Sequence, residues 1–547
     1  MKEKVCILVL LLFGFSVFSQ EFTRADTLRG SITPERAWWD VMHYDLKVSV
    51  NPSEKNIEGS NTISYKVINP NQVMQIDLQA PMKIDRILQN GHEISFVSEG
   101  NAHFLKLKEE QQRGKEYHIT LFFSGKPRVA KRPPWDGGFS WEKDRNGKDF
   151  IATSNQGIGA SVWWPLKDHP YDEPDKGVTI SVTAPKDLMD VSNGRLKEVI
   201  QHDSTKTWVW EVVNPINTYG VNINIGDYVH WKEVYNGEKG SLDLDYYVLR
   251  EHEEKAKEQF KQVAKMIEAF EHWYGPYPFY EDGYKLVEAP YLGMEHQSSV
   301  TYGNGFQNGY LGRDLSGSGW GLKFDFIIIH ESAHEWFANN ITNKDVADMW
   351  IHEGFTCYSE NLYLDYFFGK KASSEYVIGL RKNILNDSPI IGQYNLDSRG
   401  SSDIYYKGAN ILHTIRQLID NDEKWRDILR GFNKTFYHQT VTTQQVEEYI
   451  SKNSGLDLKV FWNQYLRTTE IPKIEYEVDG KSLKYRYVNI LENFEMPVIV
   501  VLNGKEQWIH PTANWKTLKI SKPIATVKIK KDFYVEAQDL TKRTKAK

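Results

Sequence analysis

The run His330-Glu331-Ser332-Ala333-His334, preceded by Ile327-Ile328-Ile329, carries the sharpest chemical signature in the chain. On a helix, residues four apart share a face one turn from each other, so both imidazoles can close on one metal ion. Glu331 follows the first histidine and points beside that ion, placed to take a proton from a water there. The isoleucines bury the helix, and Asn339-Asn340 is its expected end. Eighteen residues separate His334 from Glu353, in the segment Trp350-Ile351-His352-Glu353-Gly354-Phe355. Two histidines and one carboxylate make a three-ligand catalytic zinc site with the fourth position left to water. A structural zinc would ask for four protein ligands, usually with cysteine, and the chain has 2 Cys. Taken alone, each motif also fits a helix with surface histidines or a solvated carboxylate. Together they predict one Zn2+ per chain on His330, His334 and Glu353.

The elements that must position these residues follow from periodicity. Tyr44, Leu46, Val48 and Val50 alternate with polar neighbours, as do Ile63, Tyr65 and Val67, then Val178, Ile180 and Val182. Period-two alternation with turn residues between marks half-buried antiparallel strands. The Gly/Pro/Trp-rich segment from Pro133 to Trp141 reads as loop. Near residue 251 the period changes: Ala256, Phe260, Val263, Ile267 and Phe270 fall at helical spacing, and Gly275-Pro276 stops that helix. Helical segments dominate to about Tyr465, after which alternation returns at Ile474, Tyr476 and Val478, at Leu483, Tyr485 and Tyr487, and from Val498 to Leu502. The expected fold is a multidomain α+β chain: an N-terminal antiparallel β domain over 21–250, a mainly helical catalytic domain over 251–472 and a small C-terminal β-sandwich over 473–547.

Composition narrows the class. A chain of 547 residues exceeds one hydrophobic core. Its 40% hydrophobic and 26% charged residues are those of a globular protein. The net charge of −6 is spread along the chain, with no stripe for nucleic acid and no polybasic membrane patch. Lys2 and Lys4 ahead of an apolar stretch from Val5 to Phe18, closed by Ser19, read as a secretory signal over 1–20. That stretch is too short for a comfortable membrane span, and no later run is long enough, so no transmembrane segment is expected. The expectation is export to a periplasm or the extracellular space. Without the signal only Cys357 remains, so no internal disulfide can form.

With both metal motifs at this spacing, the chain resembles the gluzincin zinc aminopeptidases of the aminopeptidase N and leukotriene hydrolase type. The likeness runs from His43-Tyr44-Asp45-Leu46, similar to the family's first strand, to Phe461-Trp462-Asn463-Gln464-Tyr465, similar to the segment closing its thermolysin-like catalytic domain. Leu292-Gly293-Met294-Glu295-His296 stands in place of the family's Gly-x-Met-Glu-Asn. The resemblance implies that Glu295 pairs with a substrate's α-ammonium, with Gly293 and Met294 beside it. Leu292 and His296 depart from the pattern, and the ring of His296 is expected to reshape that wall. By the same resemblance Gln156, in Asn155-Gln156-Gly157, is a second ammonium contact. Tyr405, in Tyr405-Tyr406-Lys407-Gly408, would donate to the oxyanion, leaving Tyr406 to packing.

What the resemblance implies is hydrolysis of the first peptide bond of peptides with a free N-terminus, with Glu331 as general base. Two rivals stay open on the residues: a zinc endopeptidase with the same chemistry, and a non-catalytic binding relative. The second would be expected to lose Glu331, a ligand or Tyr405, and all are present. Part of the family also hydrolyses an epoxide at the same site.

Overall fold

The computed structural model describes residues 22–541. The secretory signal expected over 1–20 and the lysine-rich end from Lys542 lie outside the described residues.

The alternating residues near the start form Trp39–Asn51, with Tyr44 and Leu46 fully buried and Lys47 and Ser49 outside. Burying each such side chain is worth about 1.5–3 kcal/mol. This strand lies inside an eight-stranded sheet whose spatial order begins Arg195–Gln201, Thr205–Val212, Val178–Pro185, Trp39–Asn51, Asn56–Val67 and Glu116–Gly125. The sheet departs from the purely antiparallel expectation at one pairing: Trp39–Asn51 runs parallel to Val178–Pro185, Tyr44 opposite Val178. These strands are far apart in sequence, so alternation alone carries no information about their relative direction. A second correction concerns Pro133 to Trp141. Pairing with Asp149–Ser154 starts at Gly138, so Gly138–Lys143 is a strand and the loop ends at Gly137. Trp141 sits opposite Ile151 and is backed by Phe139, which supplies the apolar contact that a loop reading overlooks.

The hairpin Tyr228–Gly237 and Gly240–Leu249 falls before the expected boundary at 250, yet it pairs forward. It continues through Tyr284–Glu288 into Val300–Tyr302 and Gly293–Met294, making one five-stranded sheet. Leu242, Leu244, Tyr246 and Val248 accordingly pack in the same core as the helices that follow. The helix expected from residue 256 is two helices, Glu253–Gln259 and Gln262–Tyr274, with Gly275 at φ +93° ending the second.

The C-terminal strands form two sheets. One contains Lys516–Lys519, Ser482–Val488, Lys473–Asp479 and Glu536–Asp539, and the other Lys505–Ile509, Val498–Leu502 and Val527–Ile529. Their apolar faces are continuous with the helical core, Tyr465 stacking on Tyr534 and meeting Phe494 edge-on. Among the described residues no helix is long and apolar enough to cross a membrane.

Candidate active site

Asp325 starts the motif helix, Phe326–Ala333, by accepting hydrogen bonds from the Ile327 and Ile328 amides at 3.1 and 3.4 Å. Gln259, Tyr302 and Asn304 in turn donate to Asp325 at 2.7–2.8 Å. Every residue of this helix is buried, so packing on all sides sets its orientation. The regular helix ends at Ala333, earlier than the Asn339-Asn340 expected. From Glu335 to Asn339 the helix breaks: Phe337 and Ala338 leave helical dihedrals, Ala338 at φ +141°, while the Asn339 and Asn340 amides reach back to the His334 and Glu335 carbonyls at 3.0 and 3.1 Å. At this break the Phe337 carbonyl lies 2.9 Å from His334 Nδ1, and Thr356 Oγ1 comes to 3.0 Å from the same nitrogen. His330 Nδ1 is held at 2.7 Å by Glu360, whose other oxygen accepts from the Tyr376 hydroxyl at 2.5 Å. Both histidines therefore present Nε2 to a common point, with the second nitrogen fixing tautomer and ring plane.

Glu353 lies in the first turn of Trp350–Phe368, its Oε2 3.7 Å from His330 Nε2 and 3.5 Å from His334 Nε2. The ligand atoms of the three residues all lie within 4.8 Å of one another. Glu353 Oε2 is fully buried and has no hydrogen-bond partner. A buried carboxylate oxygen without a donor is costly, and a cation between it and two imidazole nitrogens removes that cost. The residues fit zinc.

Glu331 is 9% exposed and faces the same space. Burial pushes its carboxyl up to about 7; the two histidines oppose that rise, while Glu295 and Glu353 reinforce it. A bound cation would draw it down again. Gly293 lies directly over this helix: a Cβ there would stand 2.7 Å from Ile327 Cγ2 and 3.0 Å from Glu331 Cγ. Only a residue without a side chain lets the strand Gly293–Met294 approach so closely.

That strand delivers Glu295, 2% exposed. Gln156 Nε2 donates to Glu295 Oε1 at 2.6 Å and to Glu353 Oε1 at 3.0 Å. The Tyr219 hydroxyl donates to Glu295 Oε1 at 3.1 Å, and Asn339 Nδ2 holds the Glu295 carbonyl at 2.8 Å. An N–H donor is thus satisfied between two carboxylates beside the metal ligands, a place chemically suited to an ammonium. Burial raises the Glu295 carboxyl, with His334 opposing.

The Met294 side chain is buried and packs with Ala152, Ala289 and Tyr291, with Tyr219 against the same cluster. His296 is fully buried, its ring held neutral as burial pushes it down to about 3; its nearest partner is Thr301 Oγ1, 3.5 Å from Nδ1. A side chain's inward or outward direction along a two-residue strand cannot be read from a motif.

Tyr405 precedes the helix Tyr406–Ile419, and its hydroxyl donates to Glu353 Oε1 at 3.0 Å. That helix reaches the metal helix because Gly408 meets Gly354: a Cβ on Gly408 would lie 2.7 Å from Gly354 Cα. Tyr406 also lines the cavity. The whole site opens into a cavity of about 720 Å³, walled by the N-terminal β domain through Gln156 and Trp135 and by the catalytic residues opposite.

Sequence reasoning missed Tyr219 and Glu360. Glu360 left a signal, since it lies seven residues after Glu353 and so on the same helix face. Tyr219 left none; it lies in the short turn Thr218–Gly220 capped by Asn217 and meets Glu295 only through the fold.

Residues 41–219 match the peptidase M1 N-terminal domain and residues 258–465 the peptidase family M1 domain. Among curated relatives, the leukotriene A-4 hydrolase of Xenopus laevis is 24% identical over 483 residues, covering 82% of this chain and 74% of its own. A probable aminopeptidase of Sulfurisphaera tokodaii is 20% identical over 468 residues, covering 80% of this chain and 57% of its own, so the chain spans less than two thirds of that relative. Among solved structures, an M1 zinc metallopeptidase of Deinococcus radiodurans, a mutant bound to a Tyr-Ser-Ala substrate, shares the fold with a TM-score of 0.67. It is 21% identical, with 81% of this chain and 98% of that chain covered.

Proposed function

The chain belongs to peptidase family M1, and from that premise we propose that it is a zinc-dependent aminopeptidase, releasing residues singly from the free N-terminus of peptides. His330, His334 and Glu353 would hold the zinc ion, which when bound supplies Lewis acidity to the scissile carbonyl and to water. Glu331 takes the proton of the attacking water and passes it to the leaving amine, the dual role open to a carboxyl beside the reacting atoms. The Tyr405 hydroxyl donates to the oxyanion as charge develops there. Glu295, assisted by Gln156 and Tyr219, binds the α-ammonium and so counts one residue from the end.

A single observation carries this reading: the buried Glu295 carboxylate lies one Gln156 amide away from the metal ligand Glu353. An ammonium anchored there leaves the zinc within reach of the first peptide bond alone. An endopeptidase has no use for a closed, anionic end to its cleft. The signal-like residues 1–20 support export, with the enzyme acting in a periplasm or outside the cell.

The deciding experiment compares aminoacyl anilides with their N-acetylated forms on the zinc-loaded enzyme. Acetylation should reduce kcat/KM at least a hundredfold, and Glu295→Ala should raise KM and lower kcat on the free amine, because a lost anchor also misplaces the bond. Cleavage of blocked peptides at internal bonds, indifferent to Glu295→Ala, would overturn the reading.

A further inference from the structure

Glu295, the metal ligands, Glu331 and Tyr405 deal with the substrate's amino end and its first peptide bond. The rest of the 720 Å³ cavity receives whatever follows that bond, and its volume falls within the roughly 300–1,000 Å³ of sites that enclose a small ligand. Its charges are mostly spoken for. Arg128 faces Asp136 at 3.7 Å, and that carboxylate also accepts from the Lys131 and Arg132 amides at 2.8 Å. Asp397 is engaged by Arg29 Nε at 3.3 Å. Among the described residues, Arg399 is the arginine on the cavity wall with no carboxylate in ion-pair range and no hydrogen bond.

The loop carrying Arg399 is held on three sides. It closes on itself through Ser401 N to the Pro389 carbonyl at 3.0 Å and Gln393 N to the Ser398 carbonyl at 3.2 Å. It is tied to the segment before the metal helix through Gly392 N to the Ala347 carbonyl at 2.9 Å, Tyr394 to Asp348 at 2.6 Å and Asn395 N to Asp345 at 2.9 Å. Arg29 ties it to the N-terminal domain. The backbone beneath Arg399 is thus fixed while its guanidinium stays exposed, and the planar fork matches a carboxylate. Five residues separate it from Tyr405 in sequence, and its charge acts on that phenol, countering the upward push of burial.

We propose that Arg399 is a specificity-determining residue that binds a substrate carboxylate beyond the scissile bond, foremost the terminal carboxylate of a di- or tripeptide. The inference rests on the aminopeptidase reading and deepens it: the enzyme measures short peptides from both ends, Glu295 holding the ammonium and Arg399 the carboxylate. An acidic side chain following the bond offers the same chemistry and is the second source.

The test uses the zinc-loaded full chain with Leu-Ala-Ala, Leu-Ala-Ala-amide and Leu-Glu-Ala-amide, comparing kcat/KM within each preparation, so that partial misfolding scales all three and cancels. The native enzyme should prefer the free acid over the amide by about tenfold or more, the size of a charge-assisted hydrogen bond in a partly enclosed site. Arg399→Gln should bring that ratio toward one, mainly through KM, and Arg399→Lys should restore part of it. A preference for Leu-Glu-Ala-amide over the free acid, abolished by Arg399→Gln, would overturn the assignment to the chain terminus in favour of the side chain. A ratio untouched by Arg399→Gln would overturn the role of Arg399. A native enzyme inert on all three would overturn the aminopeptidase reading and this inference with it.

Discussion

His330 and His334 stand one turn apart on a single helix, and Glu353 opens the next long one. Gln156, Tyr219 and Glu295 come instead from a turn in the N-terminal domain, from a second turn between two of its strands and from a short edge strand of the catalytic sheet. On the proposed function, the first half of the site makes water reactive and the second decides which bond it reaches. The contrast teaches that the chemical step is encoded at helical spacing within one domain, whereas the direction of attack depends on two domains meeting. Damage to the metal half should therefore appear in kcat or metal content, and damage to the amine half chiefly in KM and in selectivity.

The largest effect should come from Glu331→Gln, which removes the proton carrier while leaving all three ligands. A loss on the order of 10²–10⁴ in kcat is expected, with zinc content by elemental analysis equal to the native enzyme. Near-native turnover would break the assignment of the general base. Tyr405→Phe should cost roughly 10²–10³ in kcat with little change in KM, because the donor acts in the transition state. Tyr406→Phe should do far less, and the reverse order would shift the register by one.

Glu360→Gln probes the support behind His330. Weakening the 2.7 Å contact to Nδ1 should lower zinc affinity by about 10–100-fold. Titration with a competing chelator reads this directly, and activity should return with excess zinc. Tyr219→Phe should have the smallest effect. It removes one donor to Glu295, so KM for free-amine substrates should rise by a few-fold to about tenfold while kcat changes less. If kcat fell and KM stayed level, Tyr219 would belong to the chemical half, and the division drawn above would fail.

The difference in legibility has the same origin. Histidines at i and i+4 share a face in any α-helix, so His330 and His334 are readable without the rest of the chain, and the same rule would have found Glu360 seven residues after Glu353. Alternation likewise exposed the strand at Tyr44 to Val50 and the C-terminal strands from Ile474. It was silent about the parallel pairing of Tyr44 with Val178 and about the hairpin at 228–249 joining the catalytic sheet, since strand partners are chosen by non-local contacts. The family resemblance supplied Glu295, Gln156 and Tyr405 by position in a motif. Met294 and His296, in the same motif, are both buried.

The sequence by itself pointed to the zinc, through His330 and His334 one helical turn apart and Glu353 downstream, and to the succession of β, helical and β segments, because helix pairs and strand alternation rest on local spacing. Only the tertiary structure decided that Gln156 bridges Glu295 to Glu353, that Tyr219 joins them, and that Gly293 and Gly408 let backbone come close enough to bring Glu295 and Tyr405 into reach. It also left Arg399 unpaired on the cavity wall while giving Arg128 a partner. These are contacts between residues far apart in the chain. Local propensity does not specify them; the packing of one domain's surface against another's does.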